Sequence, residues 1–228
     1  MYSGFCGDIL NPYTNLLMLV ILIGSVVVLL ISQPGTGLST VGMKIRKAIP
    51  SPGSLSEFIH MKPYRWKFNQ YYSFSEETVR SLGHRFIGRF DSAIFHWDDS
   101  PVLDLIIEYK FPLRHLPKKY RPEDIFQAGL YALALHESVV SCSTTRLVNI
   151  YCLQDRAQKC MERNSAKRCW SCGDRKIHTK RFDSNKVIKV LKKMDKVWFN
   201  DRRPRPSPEE NRCRACPYTK GKCNYSAI

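Results

Sequence analysis

Val102-Leu103-Asp104-Leu105-Ile106-Ile107-Glu108-Tyr109-Lys110 decides the fold. Its unbroken apolar stretch reads as a buried β-strand. Side chains alternate along a strand, which predicts Leu103, Leu105, Ile107 and Tyr109 on one face and Asp104, Ile106, Glu108 and Lys110 on the other. A carboxylate and an ammonium two residues apart at a strand end can hold a divalent metal and steady a phosphate or a water. Two further pieces flank this stretch at equal distances. Asp91 precedes Glu108 in Gly88-Arg89-Phe90-Asp91, and Gln127 follows Lys110, with Tyr131 at i+4 from it. Arg85 to Trp97, with its aromatic and β-branched residues, reads as the preceding strand, and Asp98-Asp99-Ser100-Pro101 as a turn. A hairpin would then bring Asp91 and Glu108 together.

The chain has 228 residues, a length that suits one domain with an appendage. Lys and Arg number 36 against 20 acids, a net charge of +16, which favours a polyanionic partner, either nucleic acid or an anionic membrane surface. Of nine cysteines, Cys6 stands alone and Cys142 comes next; the rest crowd between Cys152 and Cys223. That clustering points to metal ligation more than to disulfides.

Near the start, Leu16 to Ile31 carries no charge. With its uncharged flanks it predicts a helix of about 20 residues, roughly 30 Å, enough to cross a bilayer. The segment before it holds Asp8 and no Lys or Arg, unlike a cleaved signal peptide. Lys44, Arg46 and Lys47 follow, so the expectation is a single-pass membrane protein with its N-terminus outside and residues 36–228 in the cytoplasm.

The predicted organisation is an N-terminal segment with a transmembrane helix (1–35), a linker and first helix (36–72), and a catalytic domain (73–228). Residues 33–53, with several Gly, Pro, Ser and Thr, read as linker, Leu55–Ile59 as a short helix, and Ser73–Arg80 as a strand or a turn. Arg121-Pro122-Glu123-Asp124 opens a helix predicted to reach Glu137, with Gln127 and Tyr131 neighbours on one face. Thr145–Leu153 and Ile177–Phe182 read as strands around a basic, cysteine-bearing insertion, residues 154–175. Asn185–Phe199 reads as an amphipathic helix with a lysine-lined polar side.

The tail, residues 205–228, carries Cys213-x2-Cys216-Pro217-Tyr218-x4-Cys223. Three thiols this close suit one metal centre, zinc or an iron–sulfur cluster. Cys169-Trp170-Ser171-Cys172 offers a different grouping. With Cys213 and Cys216 it would make a four-cysteine zinc site, with Cys160 and His178 as spare ligands.

Asp91, Glu108-x-Lys110, Gln127-x3-Tyr131 and the cysteine tail, in this order, resemble the RecB-like nucleases of the PD-(D/E)XK superfamily, most closely the CRISPR-associated branch that carries a 4Fe–4S cluster. The resemblance covers roughly residues 73–223. It implies an α/β, restriction-endonuclease-like core and cleavage of DNA, typically from the ends of single strands, with Mg²⁺ or Mn²⁺ held by Asp91 and Glu108. It implies a catalytic Lys110, an accessory Gln127–Tyr131 motif and a cluster on Cys213, Cys216 and Cys223. The family takes its fourth cluster ligand from a cysteine early in the nuclease domain, and residues 33–141 contain none; Cys169, Cys172 and Cys160 are the candidates. The family's early metal-binding histidine falls best on His60, with His84 as the alternative. The rival expectations are a non-catalytic, membrane-anchored nucleic-acid-binding protein with a structural metal site, and a basic domain resting on anionic lipid.

Overall fold

The computed structural model describes residues 16–25, 37–60, 67, 70–160, 166–203, 206, 208–219 and 223–228. Cys6 and residues 26–31 of the apolar N-terminal run lie outside them. A mixed six-stranded sheet forms the centre, in the order β1 (Ile49–Pro50), β2 (Tyr72–Ser75), β5 (Ser92–Asp98), β6 (Ser100–Lys110), β7 (Arg146–Cys152), β8 (Arg175–Arg181). Two short strands, β3 (Thr78–Ser81) and β4 (Phe86–Arg89), make a separate antiparallel pair.

The three middle strands are buried along almost their whole length, because near-continuous apolar runs must be covered on both faces. β5 and β6 pair antiparallel, while β6 and β7 run parallel. Parallel neighbours need a crossover, which helix α4 (Pro122–Glu137) supplies. Pro122 at its first turn and the acids Glu123 and Asp124 suit a helix N-terminus. The Tyr151 hydroxyl fastens that end to β7, donating to Asp124 Oδ2 at 2.6 Å and accepting the Arg121 N–H at 3.3 Å.

One face of the sheet packs against α3 (Leu55–His60), α4 and α7 (Ser184–Trp198) through Phe58, Phe95, Leu103, Ala132 and Leu191. Gly129 lets α4 and α7 approach, since a Cβ there would sit 2.8 Å from Val187 Cγ2. The other face packs against α2 (Gly37–Lys47) through Val41, Ile45 and Ala48, with Trp170 of α6 (Ala166–Ser171) behind them. The described part of the expected linker, residues 37–53, is therefore more than a connection. Val41 and Ile45, four apart, present one apolar face despite the Gly, Ser and Thr around them. The cysteine-bearing insertion contributes α5 (Gln154–Cys160) and α6, and the tail contributes α8 (Glu210–Ala215).

Strict alternation along β6 fails at one residue. Ile94 pairs with Leu105 and Phe95 with Leu103, so Asp104 is the extra residue of a bulge. Leu103 and Ile106 therefore face the α4 side, and Leu105 and Ile107 face α2. Asp104 turns to α2 instead of sharing a face with Glu108. Its buried carboxylate accepts Lys44 Nζ at 2.5 Å and lies 2.5 Å from His96 Nδ1. Similarly, Arg85–Trp97 is two strands, broken at Phe90-Asp91.

The expectation of a transmembrane helix is overturned. The described helix in the apolar run, α1, covers residues 16–25. Among the described residues, no helix is long and apolar enough to cross a membrane. The single-pass placement, and the cytoplasmic orientation derived from it, fall with that helix.

Because Ile45 is 1% exposed, Ile45→Ala is expected to cost about 2–4 kcal/mol of unfolding free energy. Urea denaturation checks this. A loss below about 0.5 kcal/mol, the level of a surface substitution, would return residues 37–47 to the status of a linker.

Candidate active site

Two carboxylates meet where β5 begins and β6 ends. Ser92 pairs with Ile107, which sets Asp91 beside Glu108. The Asp91 carboxylate accepts the backbone N–H of Tyr109 at 2.7 Å, and Glu108 Oε1 lies 3.4 Å from the Asp91 nitrogen. Glu108 is 1% exposed. Burial first, and then the charge of Asp91, push its carboxyl up to about 7, against the downward pull of the Lys110 ammonium. Burial also raises the Asp91 carboxyl, opposed by the Tyr109 N–H and Lys110.

From Glu108 a chain of polar contacts runs into α4. Lys110 Nζ donates to Glu108 Oε2 at 3.0 Å and to Gln127 Oε1 at 2.7 Å. Gln127 Nε2 in turn donates to the Tyr131 hydroxyl at 2.8 Å. Helical i,i+4 spacing puts Gln127 and Tyr131 on the same face of α4. The structure thus brings Asp91, Glu108, Lys110, Gln127 and Tyr131 into one connected row. Both ends of the Gln127 amide are engaged inside the protein. Tyr131 lies against β4, where a Cβ on Gly88 would fall 2.5 Å from its ring.

A cavity of about 630 Å³ opens beside Asp91, walled by Tyr109, Ser92, Ser75, Glu76, Glu77 and Ser51 among others. Glu76 and Glu77 are contributors that motif reading passes over, since they occupy the turn between β2 and β3. Glu76 N–H donates to the Asp91 carbonyl and Phe90 N–H to the Glu77 carbonyl, each at 3.2 Å. The Glu76 charge pushes on Asp91, and its backbone adopts a left-handed φ of 57°. Asn149 on β7 is the strand neighbour of Glu108 and is wholly buried. A signal for it exists in the sequence: an Asn in the middle of an apolar strand. His60, by contrast, is exposed at the end of α3 and does not line this cavity. His84 lies on a turn and reaches Glu137 at 3.4 Å.

Asp91 and Glu108 fit a hard dication such as Mg²⁺ or Mn²⁺. Neighbouring buried carboxylates repel one another, and a cation that enters between them relieves that repulsion. No group of three or more His, Cys, Asp or Glu side chains is gathered as a metal site among the described residues. The pair would therefore be completed by water and phosphate oxygens, a common arrangement for Mg²⁺.

The cysteines separate into two places. Cys213 and Cys216 lie on and just after α8, where the Thr219 hydroxyl donates to both of their carbonyls and Ala227 N–H lies 3.4 Å from Cys213 Sγ. Cys160, Cys169 and Cys172 line a different cavity together with Cys152, and no tail cysteine lines it. As placed, the tail's three thiols lack a fourth cysteine and do not fit a complete cluster. None of the eight described cysteines is in a disulfide.

No protein-family model matches the chain, and comparison with curated proteins finds no match.

Two expectations follow from this geometry. Glu108 has a folded-state value of about 7, above the ordinary carboxyl value it takes when unfolded. The folded protein therefore holds more protons between these values, and stability should fall as pH rises through that window, by on the order of 3 kcal/mol. Denaturation as a function of pH should show this slope in the metal-free protein and a much smaller one in Glu108→Gln; equal slopes would contradict the assignment. Gly88→Ala forces a methyl into the Tyr131 ring and should cost about 1–3 kcal/mol, read by urea unfolding; an unchanged midpoint would contradict the close approach.

Proposed function

We propose that this chain is a divalent-metal-dependent DNA nuclease of the RecB-like PD-(D/E)XK type, acting on single strands or free ends. One observation carries the reading: Asp91, Glu108, Lys110, Gln127 and Tyr131, widely separated in sequence, form one hydrogen-bonded row whose Asp91 end lines an open cavity. A bound dication would supply Lewis acidity, acidifying an attacking water and offsetting charge on the phosphate. Asp91 and Glu108 are the groups that would hold it. Lys110 places its ammonium at the same point and can donate to a non-bridging phosphate oxygen as charge builds there. Gln127 fixes the direction of that ammonium through its carbonyl, and Tyr131 fixes Gln127. On this reading Gln127 and Tyr131 are positioning residues, not contacts to the bases.

A polyanion also needs a path. The net charge of +16 favours one, and the exposed side of α7 presents Lys189, Lys192, Lys193 and Lys196 along a groove. Phosphate contacts of this kind bind without reading sequence.

The second reading is a nucleic-acid-binding protein whose nuclease centre is no longer active. The placement of His60 away from the cavity beside Asp91 favours it.

End-labelled single-stranded DNA, incubated with the full chain and Mn²⁺, separates the two. Metal-dependent cutting is expected, abolished by chelator and reduced roughly 100-fold or more by Lys110→Ala, the loss typical of removing one charge-stabilising donor. Salt-sensitive binding without cutting, by folded and metal-loaded protein, would establish the second reading. Cutting by Lys110→Ala at the parent rate would remove Lys110 from the mechanism.

A further inference from the structure

The cavity that Cys152, Cys160, Cys169 and Cys172 share lies on the sheet's other side from α4, and its volume is about 430 Å³. These residues come from three elements: the end of β7, the end of α5, and α6 with the turn after it. Nothing in a basic nuclease-like core requires four thiols to line one space.

We propose that Cys152, Cys160, Cys169 and Cys172 are the ligands of a single thiolate-bound metal centre, distinct from the Cys213–Cys216–Cys223 tail. Four features of the cavity support it beyond the count of thiols. None of the four is in a disulfide. Arg175, Arg168 and Lys159 also line the space, and a centre carrying four thiolates is anionic and calls for such neighbours. The Arg175 Nε is buried without a hydrogen-bond partner among the described residues, a donor still lacking an acceptor. The Asp174 N–H points at Cys172 Sγ at 3.4 Å, the kind of backbone contact that tunes metal thiolates.

Burial and the mutual charge of these same thiols raise Cys152 and Cys169, so their thiolates are disfavoured until a cation joins them. The four sulfurs line one cavity and, as placed, are not gathered into a group that could hold an ion, so a centre would have to draw them together. Cys152, which follows an apolar strand with no paired cysteine nearby, is the ligand that sequence spacing hides. This site does not depend on the nuclease reading, and its test involves no DNA.

The full chain, purified without oxygen, is loaded separately with ferrous iron plus sulfide and with zinc. Bound metal and sulfide are counted, and thiol accessibility is mapped by alkylation and peptide mass analysis before and after chelation. The expected result is one centre per chain that shields Cys152, Cys160, Cys169 and Cys172 together and releases them together. Sulfide in the bound centre marks a cluster, and its absence with one zinc marks a single ion. Cys152→Ser should lose that centre, while Cys213→Ser should keep it. Labelling of all four at the same rate with and without metal would overturn the proposal. So would shielding of Cys169 and Cys172 that disappears in Cys213→Ser, which would join them to the tail. Because alkylation is read on the parent chain, a misfolded variant leaves the test intact.

Discussion

The repulsion between Asp91 and Glu108 is the constraint around which the site is arranged. A buried carboxylate beside a second carboxylate is costly, and the protein retains the pair by setting Lys110 against it and tying Lys110 to α4 through Gln127. That contact links the central hairpin to the crossover helix. Tyr131 and Gly88 extend it to the β3–β4 pair. Burial beside a second carboxylate raises the Glu108 carboxyl to about 7, a perturbation of the kind that marks candidate functional sites.

The other face of the sheet solves a different problem. The Asp104 bulge diverts one carboxylate away from the Glu108 face and into a buried contact with Lys44 and His96. Without that slip, Asp104 would lie on the same face as Glu108 and add a further negative charge to a crowded region. The bulge also anchors α2, because Lys44 reaches from that helix.

Much of the central unit is legible in the sequence. Its strands are long apolar runs bounded by turn residues, and α4 carries a Pro and two acids at its start. The meeting of Asp91 with Glu108 follows from hairpin geometry, and that of Gln127 with Tyr131 from helical spacing. Other parts are not legible, for identifiable reasons. A bulge leaves no signature when its residue is one Asp in an apolar run. Helix α2 hides its face because Gly, Ser and Thr dilute the pattern that Val41 and Ile45 make. Hydropathy reads the apolar N-terminal run as a membrane span, whereas no helix among the described residues is long and apolar enough for one. Glu76 and Glu77 reach the site by a tertiary contact, and Cys152 joins its neighbours only once β7, α5 and α6 are packed.

The most direct test of the Asp91–Glu108 pair as a cation site is calorimetric titration of Mn²⁺ into the full chain at pH 6.5, in two buffers of different ionisation heat. A cation that displaces the Glu108 proton should release about three-quarters of a proton per ion bound, and Glu108→Gln should lose both the binding and the release. Binding that releases no proton and persists in Glu108→Gln would contradict the assignment and place the cation elsewhere.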